Sequence, residues 1–272
     1  MTKEQEQEYL ALLDLLSRVR EKAKSLITPD RDRLRDAEGL GMKFHFHSTS
    51  IFYLSCGTII KDTPSGEINF VDSASISTIT RAAFEAFLTF HYVFAAPKIN
   101  LLRDLRYWAW SLSGLCARQK FLATKPEHQK KKAIEGEKIK QLHERLASNP
   151  EFIHLLKEQK NNIKNGRWRL RSWEKMARDA GLNEWHASTM YAYLCGYTHA
   201  DSLSVLQIHD AMSREQQEKL SQDSVENTMI ATANMIFLYC DVFPEGENVL
   251  VKNPEATQTA KKWRNIGQGK QG

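Results

Sequence analysis

Arg81 and Glu85 stand four residues apart in an otherwise apolar stretch that runs from Ser75 to Leu88. On a helix this spacing stacks both charges on one face. Burying either charge alone is expensive. The pair must therefore neutralise itself inside a bundle or line a polar pocket. Far downstream, Tyr191-Ala192-Tyr193-Leu194-Cys195-Gly196-Tyr197-Thr198-His199 reads as a Tyr- and Cys-rich helix ending in a histidine. If the two helices are neighbours, Arg81, Glu85, His199 and a tyrosine (Tyr193 or Tyr197) make one polar cluster. Arg81, Glu85, His199 and Tyr193 are the candidate catalytic set. Their chemistry suits metal-free phosphodiester cleavage. An imidazole moves the proton, a guanidinium stabilises the phosphorane charge, and a carboxylate orients either one. The same residues serve a structural network equally well, with Arg81 paired to Glu85 and His199 closing a helix C-terminus, where a cation is favoured.

A second cluster is local in sequence. Arg167, Arg169 and Arg171 alternate with Trp168 and precede Trp173, with Lys164, Lys175 and Arg178 nearby. Guanidinium groups interleaved with indoles suit phosphate contact and base stacking. The plainer reading is a loop anchored on a helical body while its charges meet water. Lys130-Lys131-Lys132 reads as the solvated start of a charged helix.

Other chemistries lack their residues. There is no P-loop, dinucleotide fingerprint or nucleophile elbow, and no H-E-x-x-H or comparable ligand set. His45 and His47 are two apart and do not share a helical face. His186 and His199 would sit about 20 Å apart along one helix. No metal or cofactor is expected. Cys195 precedes His199 by four residues, but its apolar neighbours favour an inert packed thiol.

The chain has 272 residues, 42% hydrophobic and 26% charged, the profile of an ordinary globular protein. Its 38 basic and 33 acidic side chains leave a formal charge of +5, which permits nucleic acid without implying it. Cys56, Cys116, Cys195 and Cys240 are far apart and form no metal or disulfide spacing, as for reduced core thiols. The polar start, Met1-Thr2-Lys3-Glu4-Gln5-Glu6, does not read as a signal peptide. The longest apolar stretches are too short or too charged to span a bilayer. A cytoplasmic protein with no membrane partner is expected.

Hydrophobic periodicity predicts helices over 4–27, 42–60, 74–95 and 98–123. Breaks fall at Pro29 with the charged run to Arg33, at the turn sequence Asp62-Thr63-Pro64-Ser65-Gly66, and at Pro97. Residues 126–161 carry a sparse apolar stripe and are expected to form a charged two-helix arm, because so few apolar residues cannot make a core of their own. Gly181 fits a helix C′ position, Asn183 a cap, and Ser213 with Gln216 a capping box. The helix opened by Ser213 extends to about Val242. The expectation is an all-α helical bundle over 1–250, with the arm inserted, followed by a polar, largely disordered tail over 251–272. Beyond helices, only a brief extended piece at Glu67–Val71 is expected.

The pattern resembles a poorly characterised bacterial all-helical family. One helix of that family carries Arg-x-x-x-Glu, here Arg81 and Glu85. A later Trp…Gly segment, here Trp173 and Gly181, precedes a Tyr-x-x-x-(Ser/Cys/Gly)-x-x-x-His helix, here Tyr191, Cys195 and His199. The likeness covers about residues 45–243. That family is distantly similar to the HEPN superfamily, helical domains of RNases, toxins and phage-defence proteins. The resemblance implies a HEPN-like bundle, a homodimer, and RNA or another phosphate-bearing ligand. Catalytic HEPN members use Arg-x(4–6)-His on one helix. This chain departs from that rule, since the residues four to seven before His199 are Cys195, Leu194, Tyr193 and Ala192. The cationic role would fall to Arg81 on another helix. Two functions follow: a structural or binding module of a defence or toxin-like system, or a variant metal-independent ribonuclease using His199 and Arg81.

Overall fold

The computed structural model describes residues 1–24, 32–199 and 201–270. The protein is all-α, with thirteen α-helices and one two-stranded sheet among the described residues. The chain divides into two compact units, residues 1–91 with 173–272, and residues 92–172.

The first unit is built on α1 (Lys3–Lys24), α2 (Asp32–Ser55), α3 (Ser73–Phe90) and the long α11 (Arg214–Val242). α11 packs on all three others. α1 buries Tyr9, Leu12, Leu13, Leu15, Leu16 and Val19, the apolar stripe its periodicity predicts. Side chains of α3 and α11 also meet through small hydroxyls. Ser77 Oγ lies 2.9 Å from Ser224 Oγ, and Thr80 Oγ1 lies 3.1 Å from Thr228 Oγ1. Gly41 lets α2 approach α11 closely, since a Cβ there would fall 2.3 Å from the Tyr239 ring.

Between α2 and α3 lies an antiparallel hairpin, β1 (Thr58–Thr63) and β2 (Gly66–Phe70), with Thr58 opposite Phe70 and Ile60 opposite Ile68. The sequence led us to expect a helix to residue 60. It ends instead at Ser55, because Gly57 takes a positive φ of 86° and the β-branched Thr58, Ile59 and Ile60 pair with the extended piece that follows. The turn sequence at 62–66 forms the tip of this hairpin, with Asp62 at φ 59° and Gly66 at φ 103°. Asp72 then caps α3, accepting from the Ser75 amide at 2.9 Å.

The second unit contains α4 (Asn100–Gln119), α5 (Pro126–Ser148), α6 (Pro150–Ile153) and α7 (Lys157–Lys164). Its core is Leu105, Ala109, Leu112, Leu146, Phe152 and Ile163, with Trp108, Ile139, Leu142 and Trp168 packed around it. The segment 126–161, expected as a charged arm, packs with α4 in this unit. α4 supplies the apolar partners that the arm lacks, and the two together close a small core.

The remaining helices belong to the first unit: α8 (Trp173–Asp179), α9 (Tyr191–Thr198), α10 (Ser202–Asp210), α12 (Glu247–Lys252) and α13 (Pro254–Gln268). The tail over 251–272 was expected to be largely disordered, but residues 254–268 form α13. Thr257, Ala260, Trp263 and Gly267 make its buried stripe, and Trp263 Nε1 donates to Glu8 Oε2 at 2.9 Å. Spacings of three and four carry that stripe through a polar composition. The break expected around Pro29 falls, for residues 25–31, outside the described residues, as do 271–272 at the tail's end. Among the described residues no helix is long and apolar enough to cross a membrane.

Candidate functional site

Two helices separated by more than a hundred residues meet at the candidate site. α3 presents Arg81 and Glu85 on one face, as their spacing requires, and Arg81 Nε donates to Glu85 Oε1 at 3.1 Å. α9 packs against α3. It is entered through a π-helical segment, Trp185–Met190, which continues directly into Tyr191. Local signals fix that entry. Gly181 ends α8 at φ 86°, and Asn183 Oδ1 accepts from the His186 amide at 3.1 Å.

The outcome is a four-residue cluster. Arg81 Nη1 lies 3.1 Å from His199 Nε2, and the Tyr191 hydroxyl donates to Glu85 Oε1 at 2.9 Å. The Arg81 guanidinium also lies 5.8 Å from the centre of the Tyr191 ring. Trp173 and Phe84 flank that ring, at 6.3 and 6.4 Å between centroids. Glu85 Oε1 thus accepts from two donors, which fixes both the guanidinium and the phenol. His199 follows the last residue of α9, and its backbone amide bonds back to the Cys195 carbonyl at 3.1 Å.

Hydrogen-bond chemistry sets the roles at the centre. A guanidinium has only donors. In the contact with Arg81 the acceptor is therefore His199 Nε2. Burial pulls the Arg81 guanidinium downward, but the Tyr191 hydroxyl and the Glu85 carboxylate outweigh it, so its pKa rises above the ordinary value. Burial, together with the Glu85 carboxylate, pushes the Tyr191 phenol upward. The site accordingly holds a fixed cation, a phenol that stays a donor, and an imidazole lone pair. The site reaches water at one side: the Arg81 and Glu85 side chains are partly buried, 17% and 30% exposed, while His199 is exposed.

Tyr193 lies elsewhere. Its hydroxyl donates to the Tyr197 hydroxyl at 3.3 Å, and Tyr197 donates to Gln207 Oε1 at 2.9 Å. Two residues along a helix is about 200° of rotation, so Tyr193 faces away from the Tyr191, Cys195 and His199 row. Tyr191 is the tyrosine of the site. The signal that finds it is its spacing of four from Cys195 and eight from His199, which keeps all three on one face.

The basic cluster divides between the two units. Trp168 packs in the core of the second unit, 5.8 Å from the Tyr92 ring, where Arg106 also stacks at 4.0 Å. Arg167, Arg169 and Arg171 are exposed around it. Trp173 belongs to the first unit and packs against Tyr191. The two indoles therefore serve as packing groups in separate units. Among the described residues no three His, Cys, Asp or Glu side chains gather where they could hold a metal ion. Cys195 is a free thiol on the face shared with Tyr191 and His199.

The fold and the cluster together define an all-α protein whose polar site joins an Arg-x-x-x-Glu helix to a Tyr-x-x-x-Cys-x-x-x-His helix. The chain belongs to DUF5677, a family of unknown function, whose model matches residues 67–218 and so spans both helices. No curated protein and no solved structure matches it.

Proposed function

We propose that this protein is a HEPN-like helical binding module whose Arg81–Glu85–Tyr191–His199 cluster receives a phosphate-bearing ligand. The observation that carries the reading is the Arg81–His199 contact at 3.1 Å in a place open to water. A neutral hydrogen bond contributes about 1 kcal/mol to stability and an exposed ion pair about 0–1 kcal/mol. A cluster so open adds little to holding helices together. What it does offer is a guanidinium held in a fixed direction by Glu85, whose other N–H groups can bond an anionic oxygen beside the His199 ring. From the resemblance of the two helices, the setting is a toxin-like or phage-defence system and the working unit a homodimer, with RNA as the phosphate-bearing partner.

A second reading is favoured by the same contact, that of a metal-independent ribonuclease. When a phosphate takes the Arg81 donors, the His199 Nε2 lone pair is released. It can then take the proton of a ribose 2′-hydroxyl as that oxygen attacks phosphorus and the bond to the 5′-oxygen breaks; the products are a 2′,3′-cyclic phosphate and a 5′-hydroxyl protonated by water, while Arg81 balances the developing charge.

The test is single-stranded RNA added to the full chain in EDTA, with binding read by fluorescence anisotropy and cleavage by gel. Arg81→Ala should weaken binding at least ~10-fold with unchanged circular dichroism. Cleavage lost in His199→Ala with binding retained supports the ribonuclease; binding without cleavage supports the module alone. A wild-type chain that binds neither RNA nor inorganic phosphate contradicts both.

A further inference from the structure

The turn between α4 and α5, in the second unit, carries a highly exposed apolar pair beside a run of positive charge. Phe121 is 68% exposed and Leu122 is 89% exposed. Around them, residues 118–132 contain Arg118, Lys120, Lys125, Lys130, Lys131 and Lys132 against one acid, Glu127. Six cations less one anion is +5, as large as the formal net charge of the whole chain. Apolar side chains this exposed cost free energy in water unless something covers them.

The turn is a built structure. Lys132 Nζ donates to the Phe121 carbonyl at 2.8 Å, and Gln129 Nε2 donates to the Ala123 carbonyl at 3.3 Å. Gln119 Nε2 donates to the Lys132 carbonyl at 3.0 Å. The Phe121 amide bonds to the Arg118 carbonyl at 3.1 Å, and Arg118 Nη1 pairs with Glu135 at 2.7 Å. Within the turn Gln119, Gln129 and Lys132 each give one bond to a backbone carbonyl, and Arg118 gives one to Glu135. What remains outward is a Phe-Leu wedge and the ammonium groups of Lys120, Lys125, Lys130 and Lys131.

We propose that this turn is a docking tip for an anionic lipid surface, with Phe121 and Leu122 inserted at the acyl boundary and the lysines among the phosphate headgroups. Two features select a bilayer. The Phe121 amide and carbonyl are already bonded within the turn, which lowers the cost of bringing that residue to an apolar boundary. A collar of lysines beside such a wedge adds attraction to an anionic leaflet, which salt weakens. The docking is peripheral and needs no helix that crosses the membrane. It makes no use of the Arg81 site.

The test is co-sedimentation of the full chain with phosphatidylcholine vesicles, with and without phosphatidylserine. Wild type should partition onto the phosphatidylserine vesicles, and added salt should release it. Phe121→Ser with Leu122→Ser, and separately Lys130→Glu with Lys131→Glu, should each lower the partition at least ~10-fold. All four side chains are exposed, so both variants should keep the wild-type circular dichroism and melting curve. Equal partition onto pure phosphatidylcholine, no partition of wild type, or an unchanged partition of either variant overturns the proposal. So does a tip that binds single-stranded RNA through the same residues but no vesicle.

Discussion

The first unit contains the same trio twice, once sealed and once open. In the sealed copy Arg20 of α1 reaches Glu38 Oε1 at 2.5 Å and His45 Nδ1 at 2.9 Å, both on α2. In the open copy Arg81 reaches Glu85 Oε1 and His199 Nε2, each at 3.1 Å. Each arginine bonds a carboxylate oxygen and a ring nitrogen. They differ in water. The Arg20 and Glu38 side chains are 7% and 13% exposed, and the packed Tyr239 ring closes over the Gly41 turn of α2 beside them. Buried, such a trio is a structural commitment, since removing one member strands the others. Open, it contributes little to stability and leaves its donors within reach of a ligand. Residue types alone do not separate structure from function here; solvent does.

The largest expected effect breaks the sealed trio. Arg20→Ala leaves the Glu38 carboxylate buried without its cation and should cost about 3–5 kcal/mol in urea unfolding. Arg81→Ala, the matching change in the open trio, should cost about 0–1 kcal/mol. Equal losses would erase the distinction.

Acid should sharpen the same contrast. Burial, and then the Arg20 charge, hold the His45 imidazole below its ordinary 6.5. The unfolded chain therefore takes up the proton first. Its stabilising contribution is whole above 6.5 and is lost as pH falls through the depressed folded value. Stability should drop by up to about 1.4 kcal/mol per pH unit in that range. His45→Gln, which keeps an acceptor but does not titrate, should flatten the slope; a slope unchanged in that variant would contradict the assignment.

Smaller effects belong to the open trio. Tyr191→Phe removes one donor to Glu85 and should cost about 1 kcal/mol. His199→Ala should cost no more than that, so a variant of His199 that unfolds would return the cluster to a structural role.

Which trio could be read from sequence follows from where its members lie. Arg81 and Glu85 share one helix, and a spacing of four in an apolar stretch announces them. Arg20 and Glu38 lie on different helices eighteen residues apart, so their pairing exists only in the packing of α1 on α2. Among the tyrosines of α9, helical phase sets Tyr191 on the face of Cys195 and His199 and turns Tyr193 towards Tyr197. α13 was hidden by polar composition, although Thr257, Ala260 and Trp263 carry its stripe. The second unit was hidden because its core is shared: Leu105, Ala109 and Leu112 of α4 meet Leu146, Phe152 and Ile163 of the arm. Capping signals acted locally and were legible, with Ser213 and Gln216 closing the box that opens α11.

The sharpest test is an NMR titration that follows the imidazole nitrogens of His199 and His45 as inorganic phosphate is added. A ligand site at the open trio predicts that the His199 signals shift saturably in wild type and stay still in Arg81→Ala, while the His45 signals do not move in either. His199 signals that ignore phosphate, or that move equally without Arg81, would contradict the account.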